Sequence, residues 1–294
     1  MGLDVNGTKF LLYARRQGVS FAKTAMIGRQ EMLVSVADLQ TNLSRFGIET
    51  TTKDIEKLIP DSNCYAEAFL KLLGAEEIIS FDASTYENAS VIHDFNQPIP
   101  DEFKNRFSAV LDGGTLEHIF NYPAALKNCM EMVAEDGHFL AITPANNQLG
   151  HGFYQFSPEL FFRVFSAENG FELQQVMIFE ESPGSQWYDV ADPDAVGERV
   201  TLVNGQSSML LIVAKKIKTV ELFASMPQQS DYVAVWSGRT PVVTDNSPPG
   251  FSGFPLGKFL RLPLVTFRYL RLRAGRAAGM LNRRPKHFKR VDLP

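Results

Sequence analysis

Short apolar stretches alternate along this chain with longer segments in which apolar residues recur every three to four positions. The short stretches predict seven β-strands, at residues 23–27, 76–81, 90–93, 108–111, 138–143, 173–179 and 209–214. The longer segments predict helices between the strands, at residues 36–46, 65–73, 122–133 and 158–165. Strands that alternate with helices are typical of a mainly parallel sheet.

Several of the predicted strands are apolar almost throughout, as at residues 139–142 and 210–213. Strands of this composition are buried on both faces, which favours a sheet covered by helices on both sides over a sandwich. We therefore predict an α/β fold with a Rossmann-like, doubly wound, mainly parallel seven-stranded sheet in residues 1–217. A helical insertion is expected at about residues 31–74. Residues 218–294 are expected to form a linker and a basic C-terminal extension.

The charge distribution sets the end of the chain apart from the rest. Residues 251–294 contain 11 Lys and Arg and one acidic residue, whereas the preceding residues contain 18 basic and 32 acidic ones. The segment follows a Pro/Gly/Ser-rich stretch, and its basic and apolar residues interleave at 258–276, which indicates peripheral attachment to an anionic membrane surface. Docking of the tail on the acidic body is the alternative. Nucleic acid fits less well because the body is acidic.

The two cysteines, Cys64 and Cys129, cannot form a disulfide framework, and this indicates a reducing compartment such as the cytoplasm. No clustered Cys/His spacing indicates a metal site, so no metal ligand is predicted. The chain begins without a signal-peptide pattern, and no apolar run approaches the roughly 18 residues that a membrane span needs. We expect a cytoplasmic protein, at most peripheral to a membrane.

Aspartates follow three consecutive predicted strands. They are Asp82, Asp94 and Asp112, and the last is followed by Gly113 and Gly114, which allow the backbone to approach a ligand closely. Ligands of open α/β sheets bind at the carboxyl ends of the strands, near the point where strand order reverses. The three carboxylates therefore indicate a shared ligand site. The alternative is that each aspartate caps a turn.

Four segments together resemble the class I S-adenosylmethionine-dependent methyltransferases. These segments are SFDAS at 80–84, HDFNQPIP at 93–100, LDGGTLEHIFN at 111–121 and GHFLAITP at 137–144. The resemblance covers about residues 20–217 and implies S-adenosylmethionine as the cofactor. It places Asp82 and Ala83 at the ribose, Asp94 and Phe95 beside the adenine, and residues 112–115, with Gly113 and Gly114, at the methionine end.

The chain departs from this family at the glycine-rich loop, which the family carries as a GxGxG-type turn after its first strand. The counterpart here is Gly28 alone, 54 positions before Asp82, with Arg29 directly after it. The helical insertion is expected to fill this interval. Arg29 is expected either to pair with the carboxylate of the ligand or to block the pocket.

Two residues are candidates for catalysis. His151 lies between Gly150 and Gly152 in the segment after the fifth predicted strand, where an accessible imidazole suits a general base. Neighbouring aromatic residues are expected to shape an acceptor pocket. Glu117 is expected to face the site, as the resemblance implies. The adjacent His118 is expected to be structural, because neighbouring residues on a helix point about 100° apart.

Three functions are consistent with these features. The first is methyl transfer from S-adenosylmethionine to a small-molecule or glycan-like acceptor, which requires little beyond positioning because the leaving group is already activated. The second is a catalytically silent methyltransferase-like domain that binds a partner or scaffolds an assembly. The third is another nucleotide-binding Rossmann enzyme, which the missing glycine-rich turn disfavours most.

Overall fold

The computed structural model describes residues 2–59, 64–182, 184–238 and 286–294. The strands in these ranges are β1 (Gly2–Leu3), β2 (Lys23–Ile27), β3 (Glu31–Met32), β4 (Glu77–Asp82), β5 (Val91–Ile92), β6 (Phe107–Asp112), β7 (Val133–Asn146), β8 (Phe171–Glu180), β9 (Tyr188–Val190), β10 (Ser208–Lys216) and β11 (Phe288–Arg290). The helices are α1 (Val5–Arg16), α2 (Val36–Arg45), α3 (Thr52–Leu58), α4 (Glu67–Leu72), α5 (Tyr122–Met132), α6 (Pro158–Val164), α7 (Pro193–Val196) and α8 (Ser230–Trp236). Each predicted strand and helix has a counterpart among them.

The larger sheet has the strand order β11-β9-β8-β10-β7-β6-β2-β4-β5. Neighbours from β5 to β7 are parallel, in the order 3-2-1-4-5 of a Rossmann sheet. Neighbours from β7 to β11 are antiparallel. The prediction of a Rossmann-like α/β sheet is confirmed. The predicted number of seven strands is wrong, because nine strands form the sheet within the described ranges, and the sheet also contains antiparallel strands.

The core lies on both faces of this sheet, as the apolar strands predict. Ala25 and Ile27 of β2 belong to a cluster with Phe139, whereas Met26 between them belongs to a second cluster with Leu140. Successive side chains of a strand point to opposite faces, so an uninterrupted apolar strand contributes to two cores at once.

The predicted insertion at 31–74 contains three helices, α2, α3 and α4, instead of two. Helix α1, which the sequence pattern did not predict, packs against α2 through the buried Asn42, whose amide donates to Val5 O at 2.8 Å and to Thr8 Oγ1 at 3.0 Å. Strand β3 pairs with β1 in a separate two-stranded sheet. None of the helices in the described ranges has the length and apolar composition that a bilayer span requires.

The last nine residues return to the edge of the large sheet. Strand β11 pairs with β9, Phe288 and Val291 are buried, and Val291 N donates to Trp187 O at 3.0 Å. His287 Nε2 lies 2.9 Å from Glu198 Oε1. Residues 218–238 of the predicted linker are described and contain α8, whereas the rest of the linker and the amphipathic segment fall on residues 239–285, outside the described part of the chain. The end of the predicted extension is nevertheless part of the folded sheet.

A chain that ends at Pro285 is expected to lose about 2–4 kcal/mol of its free energy of unfolding, because Phe288 and Val291 would no longer be buried. Urea unfolding of the truncated and full-length chains measures the difference. The substitution Lys289→Ala in the same strand changes an exposed side chain and should alter stability by less than about 0.5 kcal/mol. Equal stability of the two chains would show that the C-terminal residues are separable after all.

Candidate functional site

The carboxyl ends of β4, β2 and β6 meet at one edge of the sheet. Gly28 N, directly after β2, donates to Phe81 O of β4 at 2.7 Å, and Thr115 Oγ1, after β6, donates to Ile27 O at 2.6 Å. Strand order reverses between β2 and β6, because the chain continues from β2 to β4 on one side and later adds β6 on the other. The predicted site residues therefore lie at the switch point where open α/β sheets bind ligands.

Two of the three aspartates form local turns at this edge and still reach solvent. Asp82 Oδ1 accepts from Ser84 N at 2.7 Å and Ser84 Oγ at 3.1 Å, while Asp94 Oδ1 accepts from Asn96 N at 2.9 Å and Asn96 Nδ2 at 2.7 Å. The hydrogen bonds from Asn96 hold the pKa of Asp94 below its usual value. In both carboxylates these bonds use Oδ1, so Oδ2 takes no part in the local turn.

Asp112 is buried and caps the turn after β6. Its Oδ1 accepts from Thr115 N at 2.8 Å and Leu116 N at 3.3 Å. Burial, and next the nearby carboxylate of Glu117, raises the pKa of Asp112 well above its usual value. Asp112 therefore caps the turn that carries Glu117, as the alternative interpretation of these aspartates expects.

Ala83 and Phe95 occupy different environments. Ala83 is exposed beside Asp82. Phe95 is buried, and its ring packs edge-on against Phe81 at 6.0 Å and His93 at 5.2 Å between centroids. Phe95 thus supports the ends of β4 and β5 from the core side, and its ring face is not open to a ligand in this structure.

Arg29 is engaged within the protein. Its Nε lies 2.7 Å from Glu67 Oε1, its Nη1 donates to Glu87 O at 3.0 Å, and its guanidinium stacks 3.9 Å from the centroid of Tyr65. These contacts tie the turn after β2 to α4 and to the loop after β4. Arg29 therefore has a structural role here, instead of pairing with a ligand carboxylate.

Gln30 is a site residue that sequence reasoning missed. The side chain is fully buried, and Nε2 donates to Ile27 O at 2.9 Å and Gly28 O at 3.2 Å. Its Oε1 has no hydrogen-bond partner, and a Cβ at Gly113 would overlap this oxygen. Gly113 thus makes room for Gln30 in the space that the sequence assigned to a ligand. A single glutamine after Arg29 gives no recognisable signal.

Both predicted catalytic residues come together in the fold. Glu117 Oε1 lies 3.2 Å from His151 Nε2, and the ring centroids of His118 and His151 are 5.0 Å apart. Glu117 is completely buried, whereas the side chain of His151 is 47% exposed. The expectation that His118 is structural is wrong, since His118 is exposed and stands beside His151. We call Glu117, His118 and His151 the Glu/His cluster.

Glycines allow two segments to enclose Glu117. Gly152 has a φ of +66°, and a Cβ there would lie 2.8 Å from Glu117 O. The next residue, Phe153, donates its N–H to the same carbonyl at 2.8 Å. On the other side, a Cβ at Gly114 would lie 3.3 Å from Glu117 Oε1. Residues 116–118 form one 3-10 turn, and the loop that carries His151 closes over it from the end of β7.

The electrostatics of the Glu/His cluster follow from this enclosure. Burial raises the pKa of Glu117 to about 7. Glu117 Oε2 is buried and has no hydrogen-bond partner among the described residues. Burial, followed by the neighbouring His151, lowers the pKa of His118. A buried carboxylate with one unpartnered oxygen is energetically costly, and such costs concentrate at functional sites.

Exposed aromatic side chains stand next to the Glu/His cluster in sequence. Phe120 is 74% exposed and Phe153 is 66% exposed, and their rings pack edge to face with centroids 5.9 Å apart. Tyr154 Oη donates to Phe120 O at 2.6 Å and fixes the two segments together. An exposed aromatic pair beside convergent polar groups is typical of a surface that receives a ligand.

No family model and no curated protein matches this chain. Its fold is similar to solved structures at low identity. One is a 1,6-didemethyltoxoflavin-N1-methyltransferase of Burkholderia thailandensis with bound 1,6-didemethyltoxoflavin and S-adenosylhomocysteine, at 14% identity and a TM-score of 0.40, covering 73% of this chain and 78% of that one.

Two further similar structures are a second methyltransferase and a polyamine synthase. The N-methyltransferase NodS of Bradyrhizobium japonicum WM9, bound to S-adenosylhomocysteine, is 12% identical with a TM-score of 0.37, covering 72% of this chain and 87% of that one. A branched-chain polyamine synthase of Thermus thermophilus is 12% identical with a TM-score of 0.36, covering 76% of this chain and 61% of that one. Likenesses of this strength do not determine what this chain does.

Proposed function

We propose that this chain transfers a methyl group from S-adenosylmethionine to a small-molecule or glycan-like acceptor. The supporting observation is that Asp82 and the Glu/His cluster lie at the same carboxyl edge, at the ends of strands on either side of β2. One end of this edge suits a nucleoside and the other suits an acceptor with a transferable proton.

The residues at this edge fit the cofactor in two respects. Asp82 keeps Oδ2 outside its own turn, and a carboxylate oxygen in this position accepts hydrogen bonds from ribose hydroxyls. Gln30 Oε1 is an unpartnered acceptor beside Gly113 within the described residues, and it would suit the ammonium group of the methionine end once the buried side chain moves to admit that group. Asp94 and Ala83 flank Asp82 on the exposed side. Gly28 and Gly114 keep the turns beside them tight.

The chain's own residues would orient the acceptor and remove its proton. When bound, the cofactor supplies an activated methyl group on a sulfonium. The acceptor heteroatom would gain the methyl group, and the electron pair of the broken C–S bond would remain on sulfur. Glu117 orients His151 through Nε2, so that Nδ1 is the atom that takes the acceptor proton and passes it to solvent. Phe120 and Phe153 would cover the acceptor.

Calorimetric titration with S-adenosylhomocysteine tests the cofactor assignment. Wild-type protein is expected to bind, and Asp82→Asn should weaken binding about 10- to 150-fold, the loss of about 1.5–3 kcal/mol from hydrogen bonds to a charged group. The matched control is Asp136→Asn, an exposed aspartate at the opposite end of β7 that pairs with Lys215. The affinity of Asp136→Asn for S-adenosylhomocysteine should stay within about twofold of the wild-type affinity.

The silent-scaffold hypothesis has one observation in its favour, which is that Gln30 fills the space beside Gly113. If the wild-type protein does not bind S-adenosylhomocysteine at millimolar concentration, the methyl-transfer proposal is wrong and the silent domain takes its place. If binding occurs but Asp82→Asn and Asp136→Asn behave alike, the cofactor lies elsewhere on the chain.

A further inference from the structure

We infer that Glu117, His118 and His151 form a binding site for a divalent transition-metal ion of the zinc or cobalt type. One carboxylate oxygen of Glu117 and one ring nitrogen from each histidine all lie within 4.8 Å of one another. The inference goes beyond the proposed function, because it holds whether or not the chain binds S-adenosylmethionine. It also reverses the expectation from the sequence that no metal ligand is present.

The distance between Glu117 Oε1 and His151 Nε2 is at the long end of the hydrogen-bond range and also fits two ligands of one ion. Glu117 Oε1 and His151 Nε2 are 3.2 Å apart, whereas a charge-assisted N–H···O hydrogen bond is about 2.7–2.9 Å long. Ligand atoms bound tetrahedrally at about 2.0–2.1 Å from zinc lie about 3.3–3.4 Å from one another. The ring of His118 is exposed, and its ligand nitrogen lies within 4.8 Å of the other two ligand atoms.

Glu117 provides a second, independent indication. The side chain is fully buried, and Oε2 has no hydrogen-bond partner. A bound cation would compensate the charge at Oε2, which no donor within the described residues reaches. The enclosure by Gly114 and Gly152 holds this carboxylate in place, and the two histidines approach it from the solvent side.

The donor set determines the class of ion. Two imidazoles and one carboxylate are ligands for zinc and related transition metals, whereas Mg²⁺ and Ca²⁺ prefer oxygen ligands. Three protein ligands leave at least one coordination position open, as in catalytic zinc sites. Because His118 and His151 are exposed, a ligand could reach such a position from solvent. An acceptor hydroxyl or amine that binds there would be polarised by the cation.

His118 distinguishes this site from a proton-transfer pair. A pair formed by Glu117 and His151 needs only the 3.2 Å contact, to which His118 contributes nothing. A three-ligand metal site needs all three side chains. Because His118 is exposed, its replacement by alanine should leave the fold intact.

The experiment is calorimetric titration of chelator-treated, tag-free full-length protein with Zn²⁺, Co²⁺ and Mg²⁺, each as the metal alone. We expect one Zn²⁺ or Co²⁺ per chain, no comparable Mg²⁺ binding, and visible absorption of the Co²⁺ form at tetrahedral or five-coordinate intensity. Glu117→Gln, His118→Ala and His151→Ala should each weaken Zn²⁺ binding at least tenfold. Thermal melting of each variant without metal confirms that it is folded.

The controls are His93→Ala, directly after β5, and Cys64→Ser, which removes a half-buried thiol, a side chain of a type that can also bind zinc. Both should bind Zn²⁺ as wild type does, and Zn²⁺ should raise the melting temperature of wild type but not of His118→Ala. Absence of Zn²⁺ and Co²⁺ binding by wild type, or unchanged affinity in folded His118→Ala, would overturn the inference.

Discussion

Alanine at position 170 is expected to lower the free energy of unfolding by about 3 kcal/mol or more. Gly170 stands between α6 and β8 with a φ of +73°, where a side chain costs about 1–2 kcal/mol, and its Cβ would overlap the carbonyl oxygen of Lys218. Ile217 N and Lys218 N both donate to Gly170 O, so a displaced backbone would also weaken the end of β10. Urea unfolding measures the loss.

Gly18→Ala is the matched control for this substitution. Gly18 also has a positive φ, +95°, but no atom lies within 4 Å of the position that a Cβ would take. Gly18→Ala is therefore expected to lower the free energy of unfolding by about 1–2 kcal/mol, from the left-handed backbone conformation alone. If Gly170→Ala and Gly18→Ala prove equally destabilising, the close approach of Lys218 has no energetic weight.

The second large effect is expected at Asn128 on α5. Its Oδ1 accepts from Ile99 N at 3.0 Å, and its Nδ2 donates to Gln97 O at 2.7 Å and Phe95 O at 3.2 Å. The side chain is buried, so Asn128→Ala leaves three backbone groups without partners. We expect the free energy of unfolding to fall by about 3 kcal/mol. Each buried group without a hydrogen bond costs about 1–3 kcal/mol, and water that enters the space left by the side chain restores some of the lost hydrogen bonds.

Asn128→Ala should also loosen the candidate site, because Asn128 holds the segment that follows Asp94. The adjacent substitution Lys127→Ala, on a less buried face of the same helix, should change stability by less than about 0.5 kcal/mol. Amide hydrogen exchange should show faster exchange at residues 95–99 in Asn128→Ala only. Unchanged protection there would mean that the loop is held by other contacts.

The edge at which the candidate site lies could be predicted from sequence. Asp82, Asp94 and Asp112 follow apolar strands, and parallel strands bring their carboxyl ends to one edge whatever the details of packing. The roles of these residues could not be predicted in the same way. Asp112 became a buried cap and Asp82 kept an outward carboxylate oxygen, because the difference depends on which helices and loops cover each strand end.

The Glu/His cluster shows a similar division. Glu117 and His151 were recognisable by residue type and by their places after β6 and β7. Glu117 and His151 are 34 positions apart in the chain. Their 3.2 Å contact, and the position of His118 beside them, depend on a loop that folds over the 3-10 turn. Gln30 had no sequence signal, because a buried amide is identified only by the carbonyls around it.

Local pattern determined the strands, the main helices and the face that each buries, because hydrophobic periodicity acts over a few residues. Gly137 illustrates the limit of this reasoning, since a glycine shortly after a helical segment commonly marks the end of a helix. It lies inside β7, where a Cβ would be 2.8 Å from Phe107 O, and Asp136 adopts the positive φ instead. Only the tertiary structure decided the antiparallel half of the sheet, the return of residues 286–294 to its edge and the meeting of Glu117, His118 and His151. These features depend on contacts between distant segments, whose free energy does not appear in the local sequence.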